Sequence, residues 1–217
     1  MKSMELDAEG ILEWASPGSR FIESEAFAGR DYSAAADRTL MAWMCEGDAM
    51  AFAQIFDRYH KRIVAYASKY VESFDIAKDV CQEVFLRLID RPPSVLIYDS
   101  LSPWLFRVAR NLAIDKCRRR RLEFAGDGSI PEAREENTPL KTATAKSDAA
   151  FMRKLVDRLP PDTREVVRLR VFGEVSYRDI AVILGIPQGT ALWRMHRALE
   201  QLRKEWKKMT DEQEPMP

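Results

Sequence analysis

Residues 176–206, SYRDIAVILGIPQGTALWRMHRALEQLRKEW, constrain the fold more than any other stretch of the chain. Two helical periods meet there at a Gly-Ile-Pro corner. Ser176 stands where a helix is capped, and Asp179 lies three residues on, the spacing of a capping box. Ile180, Val182, Ile183 and Leu184 supply apolar surface. Gly185 suits the left-handed residue that ends a helix. Pro187 suits the first turn of the next helix, where its missing N–H costs nothing. In that second helix Ala191, Met195, Ala198 and Leu202 recur at three- and four-residue spacing and are expected to face inward. Gln188, Leu192, Trp193, Arg194, His196 and Arg197 are left for the outer and flanking faces, where base edges and phosphates are within reach. The pattern predicts a DNA-binding helix-turn-helix. The competing reading is an ordinary helical hairpin with a solvated basic face.

The 217 residues carry 34 Lys plus Arg against 34 Asp plus Glu, but the neutral total hides strong segregation. Residues 1–37 hold 3 basic and 8 acidic side chains, and residues 38–121 hold 15 and 10. Residues 122–150 hold 3 and 6, residues 151–208 hold 13 and 7, and residues 209–217 add three acids. Two basic blocks flanked by acidic segments are expected of two nucleic-acid-facing domains on one chain. The 1–37 leader, net −5, is a candidate to mask a basic face.

No apolar run approaches the roughly 18–20 residues that span a bilayer, and no signal-peptide pattern opens the chain, so no direct membrane insertion and a cytoplasmic location are expected. Cys45, Cys81 and Cys117 form no CxxC or Cys/His cluster and are expected to be reduced structural thiols. No phosphate-cradling Gly-rich loop or metal-ligand spacing is present, and the only histidines are His60 and His196. The chain is therefore not expected to be an enzyme or to hold a cofactor or metal.

The first basic block reads as helices. Residues 38–71 look like two, broken near Glu46-Gly47-Asp48, with Asp48 as a cap. Phe52, Ile55, Phe56, Tyr59, Ile63, Tyr66 and Tyr70 recur at core spacing. Residues 74–89 make a third, with Val80, Val84 and Leu88 on one face. Asp79, Gln82, Glu83, Leu86 and Arg87 occupy other faces, a mixture of acids with an exposed apolar residue that suits a protein partner. Arg91-Pro92-Pro93 stops that helix, and the loop beyond carries Val95, Leu96, Ile97 and Tyr98.

Residues 103–121, PWLFRVARNLAIDKCRRRR, form the second strong motif. Leu105, Val108, Ala109, Leu112 and Ala113 build an apolar side. Arg107, Arg110, Lys116 and Arg118 to Arg121 set seven positive charges against Asp115 alone. Trp104 and Phe106 lie beside this patch and Asn111 within it. Aromatics next to cations suit unpaired bases and their phosphates. Residues 122–150, with Gly126, Gly128, two prolines and many acids, read as a flexible linker. A further helix starts at 151, is broken at Leu159-Pro160-Pro161, and leads into the helix-turn-helix. The tail from about Thr210 is expected to be disordered.

Taken in order, these segments resemble the bacterial extracytoplasmic-function (ECF) sigma factors of RNA polymerase. GDAMAFAQIFDRYHKRIVAYA is similar to their opening helices, DIAKDVCQEVFLRLI to the core-polymerase-binding helix, and PWLFRVARNLAIDKCRRR to the promoter-melting helix. LPPDTREVVRLRVFGEVSYRDIAVILGIPQGTALWRMHRALEQLR is similar to the C-terminal promoter-binding domain. The resemblance implies an all-α protein of two small helical domains, 38–121 and 151–208, that binds core RNA polymerase and directs it to a promoter class. It implies polymerase binding by Asp79, Gln82, Glu83, Leu86 and Arg87. It implies opening and reading of a minus-ten element, duplex and melted strand, by Tyr98, Trp104, Arg107, Arg110, Asn111, Lys116, Arg118 and Arg119 with the 92–102 loop. It implies reading of a minus-thirty-five duplex by Ser176, Arg178, Gln188, Thr190, Trp193, Arg194, His196 and Arg197. An anti-sigma factor is a further partner common in the family.

The chain departs from the family at Leu192-Trp193, where members usually carry a polar or basic pair, and at Pro187, where a Ser or similar cap is usual. Whether Trp193 packs inward or meets a thymine methyl stays open at this point. The main alternative is a conventional repressor or activator that binds duplex DNA alone. It accounts for residues 176–206 but not for the Trp-Phe-Arg helix. A polymerase-binding protein without promoter recognition is a second alternative.

Overall fold

The computed structural model describes residues 27–125 and 151–213, and side-chain environments for 27–120 and 151–208. The linker at 126–150 and the leader's first 26 residues lie outside the described residues. Among the described residues the chain is helical with no strand.

Helix α1 is Asp37–Cys45 and α2 is Ala49–Ala67. The break expected at Glu46-Gly47-Asp48 is present. Asp48 Oδ1 accepts hydrogen bonds from the backbone N–H groups of Met50 and Ala51, the usual service of an N-cap. The other carboxylate oxygen accepts from Arg30 and the Tyr32 hydroxyl, both at 2.9 Å. Residues just before α1 are thereby held on the first unit. Helix α3 is Phe74–Asp90, capped by Ser73. A loop containing a short turn, Ile97–Asp99, leads to α4, Ser102–Ala125. Phe52, Ile55, Phe56, Tyr59, Ile63 and Tyr66 of α2 are buried against α3 and α4, as their spacing predicts.

In the second unit, α5 covers 151–157 and α6 is Pro161–Val167. Helix α6 runs on into a π-turn, Arg168–Phe172. Helix α7 is Tyr177–Leu184 and α8 is Gln188–Gln213. Gly185 sits at φ +65°, the left-handed conformation that closes α7. Ser176 Oγ accepts from the Asp179 N–H, but the Asp179 carboxylate turns to Ser100 and completes only half of a capping box. Pro187 immediately precedes the helix rather than occupying its first turn, and its single carbonyl accepts from the N–H groups of Thr190 and Ala191, as an N-cap residue's does. Helix α8 continues to Gln213, past the point at Thr210 where a tail was expected.

The second unit has its own small core of Leu155, Leu159, Val167, Ala198 and Leu202. The larger core crosses the two units. Val166, Leu169, Val175, Ile180, Ile183 and Ala191 belong to the same buried cluster as Tyr66, Phe106, Ala109 and Leu112. Two basic units drawn as separate by the sequence are packed face to face.

Candidate nucleic-acid interface

Helix α3 positions the acidic and apolar side chains assigned to a protein partner. Its buried stripe, Ala77, Val80, Cys81, Val84, Phe85 and Leu88, fixes the opposite face outward. Asp79, Gln82, Glu83, Leu86 and Arg87 then fall at i, i+3, i+4, i+7 and i+8, on one open surface. Leu86 is exposed, and Glu83 is paired with Arg87 at 2.9 Å. Asp79 also faces Lys116 of α4 at 3.6 Å, so this surface adjoins the basic helix.

The loop before α4 is held at its C-terminal end. Asp37, at the start of α1, accepts from the Leu101 N–H at 2.8 Å and from the Tyr59 hydroxyl, and pairs with Arg58 at 3.3 Å. Ahead of this anchor Val95, Ile97 and Tyr98 stand exposed. Tyr98 and Asp99 both have positive φ, 58° and 55°, a costly conformation for side-chain-bearing residues. Asp99 is tied to Arg38 at 2.7 Å. The loop thus presents apolar side chains to solvent on a backbone fixed by its neighbours.

On α4 the expected cations divide. Asn111 and Arg119 are exposed, and Arg118 is exposed beside Asp115 at 3.2 Å. Trp104 is half-buried against the core. Phe106 is not beside the basic patch as the sequence suggested. It is fully buried and meets the Tyr66 ring edge-on at 5.5 Å, because its position falls on the seam between the two units. Arg107 and Arg110 reach across that seam. Arg107 donates to the Val182 carbonyl at 2.7 Å, and Arg110 pairs with Glu165 at 3.3 Å.

Glu165, Arg62 and Ser100, which help to join the units, were not singled out by sequence. Glu165 is buried and accepts from the Tyr66 hydroxyl at 2.6 Å and from the Tyr70 hydroxyl. Burial, together with the adjacent carboxylate, holds both phenols well above their ordinary pKa, so they remain donors. Arg62 donates to the carbonyls of Gly173 and Glu174 at 2.9 and 3.0 Å, while its guanidinium lies over the Tyr59 and Phe106 rings. Ser100 Oγ donates to Asp179 at 3.3 Å, and Arg178 stacks on Tyr98 at 4.4 Å. A cleft of about 440 Å³ lies where Tyr98, Arg178, Ala181, Pro187 and Gln188 meet. The available signal was a carboxylate directly before the apolar positions Val166, Val167 and Leu169, and two tyrosines four residues apart, Tyr66 near the end of α2 and Tyr70 just beyond it.

On the helix-turn-helix, Ser176 spends its hydroxyl as a cap and Thr190 is half-buried. Arg194 turns back to Asp162 of α6 at 3.1 Å. Gln188, Trp193, His196 and Arg197 are exposed, with the Arg197 guanidinium 5.3 Å from the Trp193 ring centre. His196 faces Glu200 at 3.8 Å.

The sequence matches the Sigma-70 region 2 family over residues 55–123 and the Sigma-70, region 4 family over residues 152–202. It is 32% identical over 178 residues to the ECF RNA polymerase sigma factor SigW of Bacillus subtilis, spanning 74% of this chain and 91% of that protein. The chain belongs to the ECF RNA polymerase sigma factors. It is also 32% identical to RNA polymerase sigma factor CarQ of Myxococcus xanthus over 162 residues, 73% of this chain and 91% of that protein. Among solved structures, the sigma factor RpoE in complex with the anti-sigma factor NepR from Bartonella quintana superposes with a TM-score of 0.57 at 26% identity. That match covers 72% of this chain and 96% of the other. CnrH in complex with the cytosolic domain of CnrY shares the fold, with a TM-score of 0.60 at 21% identity over 80% of this chain and 98% of that one. The sigma factor therefore carries its region 2 on α2 to α4 and its region 4 on α5 to α8. The expectation of an all-α chain with two helical domains holds.

Proposed function

We propose that this sigma factor works through three surfaces, on units spanning residues 38–121 and 151–208 with 122–150 as connector. The open face of α3, Asp79 to Arg87, docks on core RNA polymerase. Helix α4 and the loop before it, with Tyr98, Trp104, Arg107, Arg110, Asn111, Lys116, Arg118 and Arg119, capture the minus-ten element as its strands part. The start of α7 and the first half of α8, with Ser176, Arg178, Gln188, Thr190, Trp193, Arg194, His196 and Arg197, engage the minus-thirty-five duplex. Polymerase performs the chemistry of RNA synthesis in the cytoplasm, and this chain supplies positioning and strand capture without catalysis of its own. The likeness to a sigma factor solved with an anti-sigma factor supports a partner of that kind here.

The observation that carries the reading is the basic helix α4 beside an exposed apolar loop, in one chain with a helix-turn-helix. The seam adds a consequence. Arg107, Arg110 and Arg178 are engaged by the opposite unit, which supports weak DNA binding by the chain alone.

The test is run-off transcription with core polymerase and genome fragments of the organism that carries the chain. Discrete new starts are expected with the protein and not without it. Replacing Arg107, Arg110 and Asn111 together by Ala is expected to abolish those starts while core binding persists. Tight duplex binding by the chain alone, with no new start, would establish a conventional regulator instead.

A further inference from the structure

The recognition helix presents an apolar stripe where a polar one is ordinarily expected. Ala191 and Ala198 are buried, and Met195 packs beneath them. This fixes Gly189, Leu192, Trp193 and His196 outward at i, i+3, i+4 and i+7, along the first two turns of α8. Leu192 is 45% exposed and Trp193 56% exposed. At the head of the stripe Gly189 has no atom near the space a Cβ would take, which leaves room for a close approach. Three of the polar candidates are engaged elsewhere, while Gln188 and His196 stay exposed at the ends of the stripe. Arg194 is held by Asp162, Thr190 is half-buried, and Arg197 lies against the Trp193 ring.

Charge selects the occupant. The same helix carries exposed Arg197, Arg203 and Lys204 beyond the stripe, a setting for a polyanion rather than for an apolar peptide. Among the groups a base pair offers in the major groove, the C5-methyl of thymine is the apolar one. The N-terminal turns of a recognition helix are the part that meets base edges. We propose that Leu192 and Trp193 make this sigma factor read thymine methyl groups in its minus-thirty-five element, with Arg197 held by the indole for a neighbouring phosphate. The proposal rests on the promoter-binding reading above and adds the chemistry by which the base is chosen.

The experiment begins with a promoter located by run-off transcription. Each thymidine of its minus-thirty-five region is then replaced in turn by 2′-deoxyuridine, which deletes only the methyl. Affinity of the full-length chain with core polymerase for each template is measured by competition. Wild type is expected to lose about four-fold at each contacted methyl, from the burial of one carbon. Leu192→Ala and Trp193→Ala are each expected to lose thymine-over-uracil discrimination at one position while still binding the uracil template. Both positions are exposed, and the wild-type arm does not depend on either variant folding. Wild type indifferent to uracil throughout, with starts intact, overturns the proposal and leaves the sigma function standing. Variants that fail to bind core polymerase, with wild type indifferent to uracil, overturn it in favour of a protein-docking face. No start on any fragment overturns both readings.

Discussion

Replacing Glu165 by Ala should open the seam between the two units. The carboxylate is buried and receives hydrogen bonds from two tyrosine hydroxyls as well as the Arg110 ion pair. A hydrogen bond to a charged group contributes about 1.5–3 kcal/mol, so the two phenols together account for about 3–6 kcal/mol of gross interaction. Arg110 adds at most about 1 kcal/mol, since its side chain is 37% exposed and screened. Part of the loss is recovered. The hydroxyls of Tyr66 and Tyr70 are 3.0 Å apart and can bond to one another once the carboxylate is gone, returning about 1 kcal/mol. Separation of the units also lets the exposed partners bind water. A net weakening of about 2–4 kcal/mol follows, which is a shift of roughly 30- to 800-fold in the balance between packed and separated units.

The assay is single-molecule energy transfer in the full-length chain. One dye sits on the exposed Cys45 of the first unit, and the other on a cysteine introduced by Glu200→Cys in the second, with Cys81 and Cys117 changed to Ser. The parent should show one high-transfer population. Glu165→Ala should add a low-transfer population, and Glu165→Gln, which keeps an acceptor oxygen, should fall between them. Identical histograms for parent and Glu165→Ala, with the same denaturation midpoint, would refute the assignment of this carboxylate as the fastening point.

Two other outcomes test separate parts of the structure. Gly173→Ala should destabilise the chain by about 1–3 kcal/mol in urea unfolding, because the new Cβ would lie 2.8 Å from both the Phe106 ring and the Leu169 carbonyl oxygen. The thiols should alkylate in a fixed order. Burial pushes the Cys81 thiol up to about 12, so at pH 8 only about one part in ten thousand is thiolate, and modification should wait for unfolding. Cys45 is exposed and should react first, with mass spectrometry after timed iodoacetamide reading the sequence of events.

The elements were legible because local chemistry and burial agree. Asp48 and Ser176 cap helices at the places their residue type suggests, and Gly185 takes the left-handed turn that only glycine adopts cheaply. The stripe Phe52, Ile55, Phe56, Tyr59, Ile63, Tyr66 is buried as its period requires. What periodicity does not carry is the partner of each face. Phe106 was placed with the cations of its own helix because it adjoins them in sequence, yet it packs into the seam. No local pattern sets Arg62 apart from the other cations of α2, yet its guanidinium donates to the Gly173 carbonyl 111 residues along the chain. The site residues divide in the same way. Exposure of Leu86 and Trp193 follows from the opposite helix faces being buried, whereas the engagement of Arg107 and Arg110 depends on a long-range packing that no local pattern encodes.

That packing explains why cations assigned to different promoter elements have a structural role in the free chain. Arg107 and Arg110 on α4, and Arg178 on α7, each satisfy a group on the opposite unit, a carbonyl, a carboxylate and an aromatic face. Partly exposed ion pairs, and single contacts from exposed cations to a carbonyl or a ring, are individually weak, so none of the three fastens the seam alone. The buried contributions come from Glu165 with its tyrosines and from Arg62 on the Gly173 turn, and none of these five residues is assigned to DNA. Fastening and promoter reading therefore fall largely on different side chains. A substitution in the first group should change how readily the units separate without changing which bases are read. A substitution at Leu192 or Trp193, which lie away from the seam's hydrogen bonds, should change base preference and leave the packing intact.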